Sequence, residues 1–445
     1  MAEIRPFRAL HYNPEKVRDL SAVITQPYDK ISPEMQSRYY SQSPYNLARI
    51  IKGRETPQDS AQDNVYVRAA RDLGAWIKTG ILISEPDSSL YPYYQKYTVP
   101  GQPGAKKERR GFIALVKLED YSARVVHRHE ETLSGPKADR MELLKNTKAH
   151  YGQVFFLYSD AQGVVEAALA AHTEGAPWEQ LNDEYDTQHS VWRVSERAAV
   201  DQVIQSMREK KLVIADGHHR YETALAYRNL RRAEPGDHEA SEYVMATFIR
   251  METEGLTILP THRVLHSLSG FNWANFAQDA KKAFDFKEVT ASGALVDGGK
   301  SLQETLAANG RERPTLAAYA GGGKLALLSL KKDFDLGHAM PDLSANQRRL
   351  DVVILHRLLI EGALGISPAA VREEKNIHYV RGLSEAASEV DSGRAQICFL
   401  MNPTPIEAVR DVAFAGEVMP QKSTDFYPKL LSGLTIYWLD NPLGI

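Results

Sequence analysis

The stretch Lys211–Leu230, KLVIADGHHRYETALAYRNL, changes its hydrophobic period in the middle. Lys211 to Ala215 is aliphatic and β-branched, whereas from Tyr221 onward Ala224, Leu225, Tyr227 and Leu230 fall at helical spacing on or near one side. The expected order is strand, tight turn, helix. The turn holds Asp216, Gly217, His218, His219 and Arg220 where a helix start leaves backbone N–H groups unpaired, a place that favours an anion. Gly217 has no Cβ and lets backbone approach a ligand closely. Arg220 can hold a phosphate through two parallel hydrogen bonds, and His218 or His219 can donate or relay a proton near neutral pH. The bland alternative is a helix capped by Asp216 with solvated His and Arg in its first turn. Zinc is the weaker functional alternative, because adjacent histidines point in different directions on a helix and the i, i+4 pair is missing.

Working outward, strands are expected at Gln153–Tyr158, Val244–Met251, His378–Arg381 and Gln396–Leu400, and helices at Ala61–Lys78, Ala198–Arg208, Trp273–Phe284 and Leu350–Leu364. VPGQPGAKKERR from Val99 and AYAGGGKLAL from Ala318 read as hairpin connections, and ASGALVDGGK from Ala291 as a polar break. Strands and helices in this mixed order predict an α+β fold (mixed α/β) rather than an all-parallel barrel. The main boundary is expected near Gly270, giving domains 1–270 and 271–445.

Three further stretches carry charge in patterns suited to an anion. In HRHEETLSGPKADR, Gly135 and Pro136 read as a turn presenting Lys137, with Arg140 on the same helical face; His129, Glu130 and Glu131 precede it, and Glu130 offers a carboxylate for proton abstraction or magnesium. In MPQKSTDFYPKLLSG, Lys422, Ser423 and Thr424 are followed by Lys429, Ser432 and Gly433; the composition suits phosphate, although the Gly-x4-Gly-Lys spacing of a P-loop is absent. In QPYDKIS, Asp29 is expected to cap the helix from Pro33, with Asp29 and Lys30 as an acid and base set the alternative. For each of the first two, a solvated surface is the competing reading.

The chain has 445 residues, 43% hydrophobic and 25% charged, with a formal net charge of -3, which suits a globular protein and gives no bulk attraction to nucleic acid or membrane. One cysteine, Cys398 in AQICFLM, excludes an internal disulfide and reads as a buried strand residue. No leader-like apolar segment opens the sequence, so the cytoplasm is the expected compartment.

DGHHRYETAL resembles the signature turn of the ParB and sulfiredoxin-like superfamily, in which Gly, a variable residue, His or Arg, and Arg open a helix that grips nucleotide phosphates. His218 stands where sulfiredoxins carry their reactive cysteine, which argues against sulfiredoxin chemistry. QPYDKIS, the His127–Tyr158 stretch, DGHHRYETAL, ILPTHRVL and GEVMPQKSTDFYPKLLSGL together resemble the bacterial and archaeal group catalogued as domain of unknown function 1015, over nearly the full length. The resemblance implies a ParB/sulfiredoxin-like N-terminal part closed by a second α/β domain. Some members of that superfamily look like kinases of free serine. The implied activity is nucleotide-dependent transfer of a phosphoryl group to a small hydroxyl metabolite, best guessed as serine, with ATP or ADP and magnesium. In that scheme Gly217, His219 and Arg220 hold phosphates with Lys137, Arg140, Lys422, Ser423 and Thr424, while Glu130, Asp216 and His218 supply the acid–base work, and Glu130 or Asp216 is the magnesium ligand. A nucleotide-binding switch without turnover and a phosphoesterase remain open alternatives. The expected partner is a small molecule, with neither nucleic acid nor membrane, and a homodimer stands as an open expectation.

Overall fold

A computed structural model describes residues 1–130, 135–290, 295 and 298–441. The chain divides into two compact units, one comprising Met1–Arg128, Thr132–Thr257 and Pro428–Ile445, the other His129–Glu131 and Ile258–Tyr427.

The first unit is built on a mixed sheet. Its path runs Val126–His127, Leu212–Asp216, Val154–Tyr158, Tyr243–Arg250, Lys106–Lys117, Tyr91–Thr98, Gln188–Val191 and Glu179–Asn182, with Ile4–Arg5 added beside Lys106–Lys117. Leu212–Asp216 is parallel to Val126–His127 and antiparallel to Val154–Tyr158, which in turn runs parallel to Tyr243–Arg250. Phe112, Phe248 and Phe156 occupy facing register positions on three neighbouring strands and stack at 5.0 and 5.8 Å. Tyr221 meets Phe156 edge-on at 5.8 Å. This aromatic ladder, worth about 0.5–1.5 kcal/mol per pair beyond burial, seats the helix His218–Arg232 on the sheet and so fixes where its first turn points.

The strand, turn and helix expected at Lys211–Leu230 are present, with the strand at Leu212–Asp216. Leu230 is exposed, and the buried position near that end of the helix belongs to Arg228, which donates to Leu118 O and Asp120. The stem of an arginine can be buried when its head finds carbonyl and carboxylate acceptors, which residue type alone does not reveal. The helix Pro33–Gln42 is capped by Ser32, whose Oγ accepts from Met35 N at 3.2 Å, and not by Asp29. Asp29 instead lies inside the short 3-10 turn Tyr28–Lys30.

In the second unit a sheet runs Phe284–Thr290, Lys324–Leu330, Thr315–Tyr319, Ile397–Leu400, His262–Leu265 and Ile377–Val380, antiparallel at every pairing. Cys398 is buried in it as expected, its thiol pushed up by burial. The helix expected to reach Phe284 stops at Ala280, and Phe284 opens a strand. Leu350–Leu364 is α-helical over Asp351–Ile354 and π-helical over Leu355–Ala363. The polar break from Ala291 lies mostly outside the described residues. The fold class is α+β, as expected.

The boundary expected near Gly270 compares with a change of unit at Thr257 and a return from Pro428 to the first unit. The return is held by Tyr437–Trp438 pairing with Ala149–His150, and by Leu10 N donating to Ile436 O at 2.9 Å. A reading that proceeds along the chain has no signal for such a return, because the pairing partners lie hundreds of residues upstream. Among the described residues no helix is long and apolar enough to cross a membrane.

Candidate functional site

The Asp216 turn owes its shape to two glycines. Gly217 has φ 90, and a Cβ there would sit 3.0 Å from Arg220 Nε; a Cβ on Gly152 would sit 3.1 Å from Ser432 Oγ and 3.3 Å from Arg220 Nη1. The guanidinium of Arg220 therefore lies directly on backbone at both places, and any larger residue would displace it. Arg220 donates to Gln153 O, and its Nη2 is 3.9 Å from Asp216 Oδ1.

Asp216 does not cap the helix. Gly217 is the N-cap, and Asp216 Oδ1 accepts from Gly217 N at 2.7 Å while Oδ2 accepts from Lys429 Nζ at 2.9 Å. Burial alone would raise the Asp216 carboxyl, but the charges of Lys429, Arg220 and Lys30 outweigh it and hold the group far below the usual carboxylate range. Three cations act on one carboxylate, so the field at the turn favours a further anion.

Lys429 is positioned from below by a buried scaffold. Arg109 is fully buried, stacks 4.9 Å over Phe155, and donates to Gln95 Oε1 and Pro428 O. Gln95 Nε2 in turn donates to Lys429 O at 2.9 Å. Burial lowers the Arg109 guanidinium to about 10, with Tyr97, Tyr93 and Asp216 opposing the shift. It stays charged near neutral pH.

Arg220 also borders a cavity of about 540 Å³ together with Gly152, Thr223, Ser432, Tyr28 and Arg140. Arg140 stacks 4.0 Å over the Tyr28 ring and donates to Ile51 O and Asp139. Arg140 and Arg220, both predicted from sequence, thus share one cavity. Lys137 does not join them. It pairs with Glu222, and residues two apart on a helix face opposite sides, so Lys137 meets the side of the helix turned away from Arg220. Lys429 and Lys30 supply the charge assigned to Lys137. His218 is buried and His219 half-buried in the first turn of the helix.

Glu130, Lys422, Ser423 and Thr424 belong to the second unit. Lys422 adopts φ 57 and its backbone N–H donates to the Glu130 carboxylate, so the HRHEE and MPQKST stretches do meet. The hydroxyls expected to hold phosphate are engaged in the loop itself: Ser423 Oγ donates to Pro420 O, and Thr424 Oγ1 lies 2.9 Å from His129 Nε2. Glu131 lies outside the described residues.

Residues 4–353 match the model of a family described as Protein of unknown function (DUF1015). The chain belongs to that family. No curated protein matches it. Among solved structures, it is similar to a conserved hypothetical protein from Pyrococcus furiosus, at 10% identity and TM-score 0.34 over 72% of this chain and 94% of that one. It is similar also to a free serine kinase in complex with AMP, at 11% and 0.35 over 72% and 92%. A third is SbnI with C-terminal truncation from Staphylococcus aureus, at 11% and 0.36 over 74% and 90%.

The residues that sequence reading left out of the site are Lys429, Lys30 and Arg109. Lys429 and Lys30 stand in MPQKSTDFYPKLLSG and QPYDKIS, where their charge is the available signal. Arg109, in the basic run KKERR, reads as a solvated hairpin, and nothing local marks it as buried.

Proposed function

We propose that this protein is a nucleotide-dependent phosphotransferase that acts on a small hydroxyl metabolite. The observation that carries the reading is the gathering of Lys429, Arg220 and Lys30 on Asp216 at a helix N-terminus, beside a cavity bordered by Arg220 and Arg140. Phosphoryl transfer asks a protein mainly for positioning and for neutralising the charge that spreads over the transferred group. The helix-start N–H groups after Gly217, with Arg220 and Lys429, suit that task, and Asp216 holds the two cations apart and in register. A carboxylate held so far down is a weak base, so this reading withdraws proton removal from Asp216 and gives it to His218 in the first helical turn.

Both carboxylates proposed for magnesium are already engaged, Asp216 at both oxygens by Gly217 N and Lys429 Nζ, and Glu130 at Oε1 by the backbone N–H of Lys422. Among the described residues no cluster of three His, Cys, Asp or Glu could hold a metal. No step here passes through a protein-bound metal.

Calorimetric titration with ADP and ATP, on the native chain and on an Arg220→Ala, His219→Ala double variant, tests the phosphate site. Serine is the first acceptor to assay. Saturable binding lost in the variant, with phosphoserine formed by the native chain, is the expected result. Binding without product would make the protein a nucleotide-responsive switch, and no binding would reduce the turn to a helix start.

A further inference from the structure

The second unit contains a cavity of about 1060 Å³ that the proposed phosphotransfer does not use. Its apolar wall includes Val353, Val371, Val418 and Met419, and its polar groups include His356 and Arg372. His356 is 6% exposed, and its Nε2 has no hydrogen-bond partner among the described residues. Burial, aided by the charge of Arg263, pushes this imidazole down to about 3, so the ring is neutral and can offer Nε2 as a donor. It stands at the start of the π-helical run Leu355–Ala363; such turns are rare and concentrate at functional sites.

The cavity wall also carries Asp342 and Glu361, which Arg357 meets at 2.6 and 3.6 Å, so the cations left over around His356 are Arg372 in the wall and Arg263, which acts on His356 without lining the cavity. Arg263 is 2% exposed and donates to Thr261 O, Lys422 O and Met401 Sδ, while its Nε has no partner among the described residues. Among those residues it has no carboxylate at ion-pair distance; Glu130 acts on it from further off. Tyr379, its register partner on the neighbouring strand, lies 5.5 Å beneath the guanidinium with a buried hydroxyl that is also unpartnered among the described residues. Arg372 is exposed and has no ion-pair partner among the described residues. Of these groups His356 and Arg372 line the cavity, and a buried donor such as His356 Nε2 without an acceptor is unfavourable unless something completes it.

We propose that this cavity is a second small-molecule site, which takes a carboxylate with a short branched apolar body, the carboxylate received by His356 Nε2 and drawn by Arg263 and Arg372. The full-length protein is titrated with isovalerate, with 3-methylbutanol as its neutral isostere, and with inorganic phosphate. The readouts are heat and the ring signals of 15N-labelled histidine. Isovalerate is expected to saturate and to shift the His356 signal, the alcohol to bind at least tenfold more weakly, and phosphate to leave His356 unmoved. His356→Leu should weaken isovalerate at least tenfold and Arg372→Ala about threefold. Should His356→Leu fail to fold, the histidine shift in the native chain and the exposed Arg372→Ala variant still decide. Equal binding of alcohol and acid, a His356 shift with phosphate only, or no binding by any probe, which would leave water as the partner of these donors, overturns the proposal.

Discussion

The Asp216 turn and the Lys422 loop look alike in sequence, both short, polar and cationic, yet they do opposite things with their polar groups. In the turn, Lys429, Arg220 and Lys30 act on a single carboxylate and leave positive charge for an incoming group. In the loop, Ser423 and Thr424 spend their hydroxyls on Pro420 O and His129, and Glu130 takes the Lys422 N–H. Phosphate-friendly composition is therefore a poor guide by itself. What separates the two is that several cations gather on one carboxylate in the turn, whereas acceptors within the loop take its hydroxyls. A further contrast lies inside the first unit: Asp216 is an anion among cations, whereas His11 is a buried imidazole between Glu85, at 3.0 Å, and Glu179, at 3.5 Å.

The largest effect should come from breaking the turn. Asp216→Ala leaves Lys429 and Arg220 facing each other, and removing one partner of a largely buried ion pair costs about 3–5 kcal/mol, read from denaturant midpoints. Inorganic phosphate should restore part of that loss in the variant and do less for the native chain. Because the Asp216 carboxyl is depressed in the folded state, its contribution is present above the unfolded value of 3.8 and disappears as pH falls below it. An Asp216→Asn chain should accordingly lose less stability between about pH 5 and pH 2 than the native chain. An unchanged acid limb would mean that Asp216 is not held by those cations.

His11 supplies the mirror image. Burial opposes its charge, but the carboxylates of Glu179 and Glu85 at ion-pair distance prevail and raise it to about 9. Its contribution is complete below the unfolded value of 6.5 and is lost as pH rises through about 9. A tenfold change in proton affinity is worth about 1.4 kcal/mol, so the tighter hold on this proton amounts to about 3 kcal/mol. His11→Gln should flatten the stability profile between those two values, and an alkaline limb that survives the substitution would refute the assignment.

Smaller effects sharpen the difference between turn and loop. Arg220→Ala should weaken nucleotide binding about tenfold, or about 1.4 kcal/mol, by calorimetry. Ser423→Ala should leave nucleotide affinity within about twofold while costing about 1 kcal/mol of stability, the usual worth of one hydrogen bond. If Ser423→Ala weakened the nucleotide as much as Arg220→Ala, the loop would have to be counted as part of the phosphate site.

Much of this molecule was legible residue by residue. The change of period at Asp216 gave the strand, the turn and the helix, and alternating strands around VPGQPG and AGGG gave two hairpins, because these signals are local and repeat within a few residues. Charge and glycine in DGHHR likewise marked the turn as a candidate anion site. The sequence could not assign partners to those charges. Lys429 meets Asp216 across 213 residues, Arg109 is buried under the same chain segment, Lys137 turns to Glu222, and Ser423 folds back on Pro420. Each of those outcomes depends on long-range burial and on which acceptor lies within about 3 Å, so residue types and spacing chose the candidates and tertiary packing decided which partner each one took.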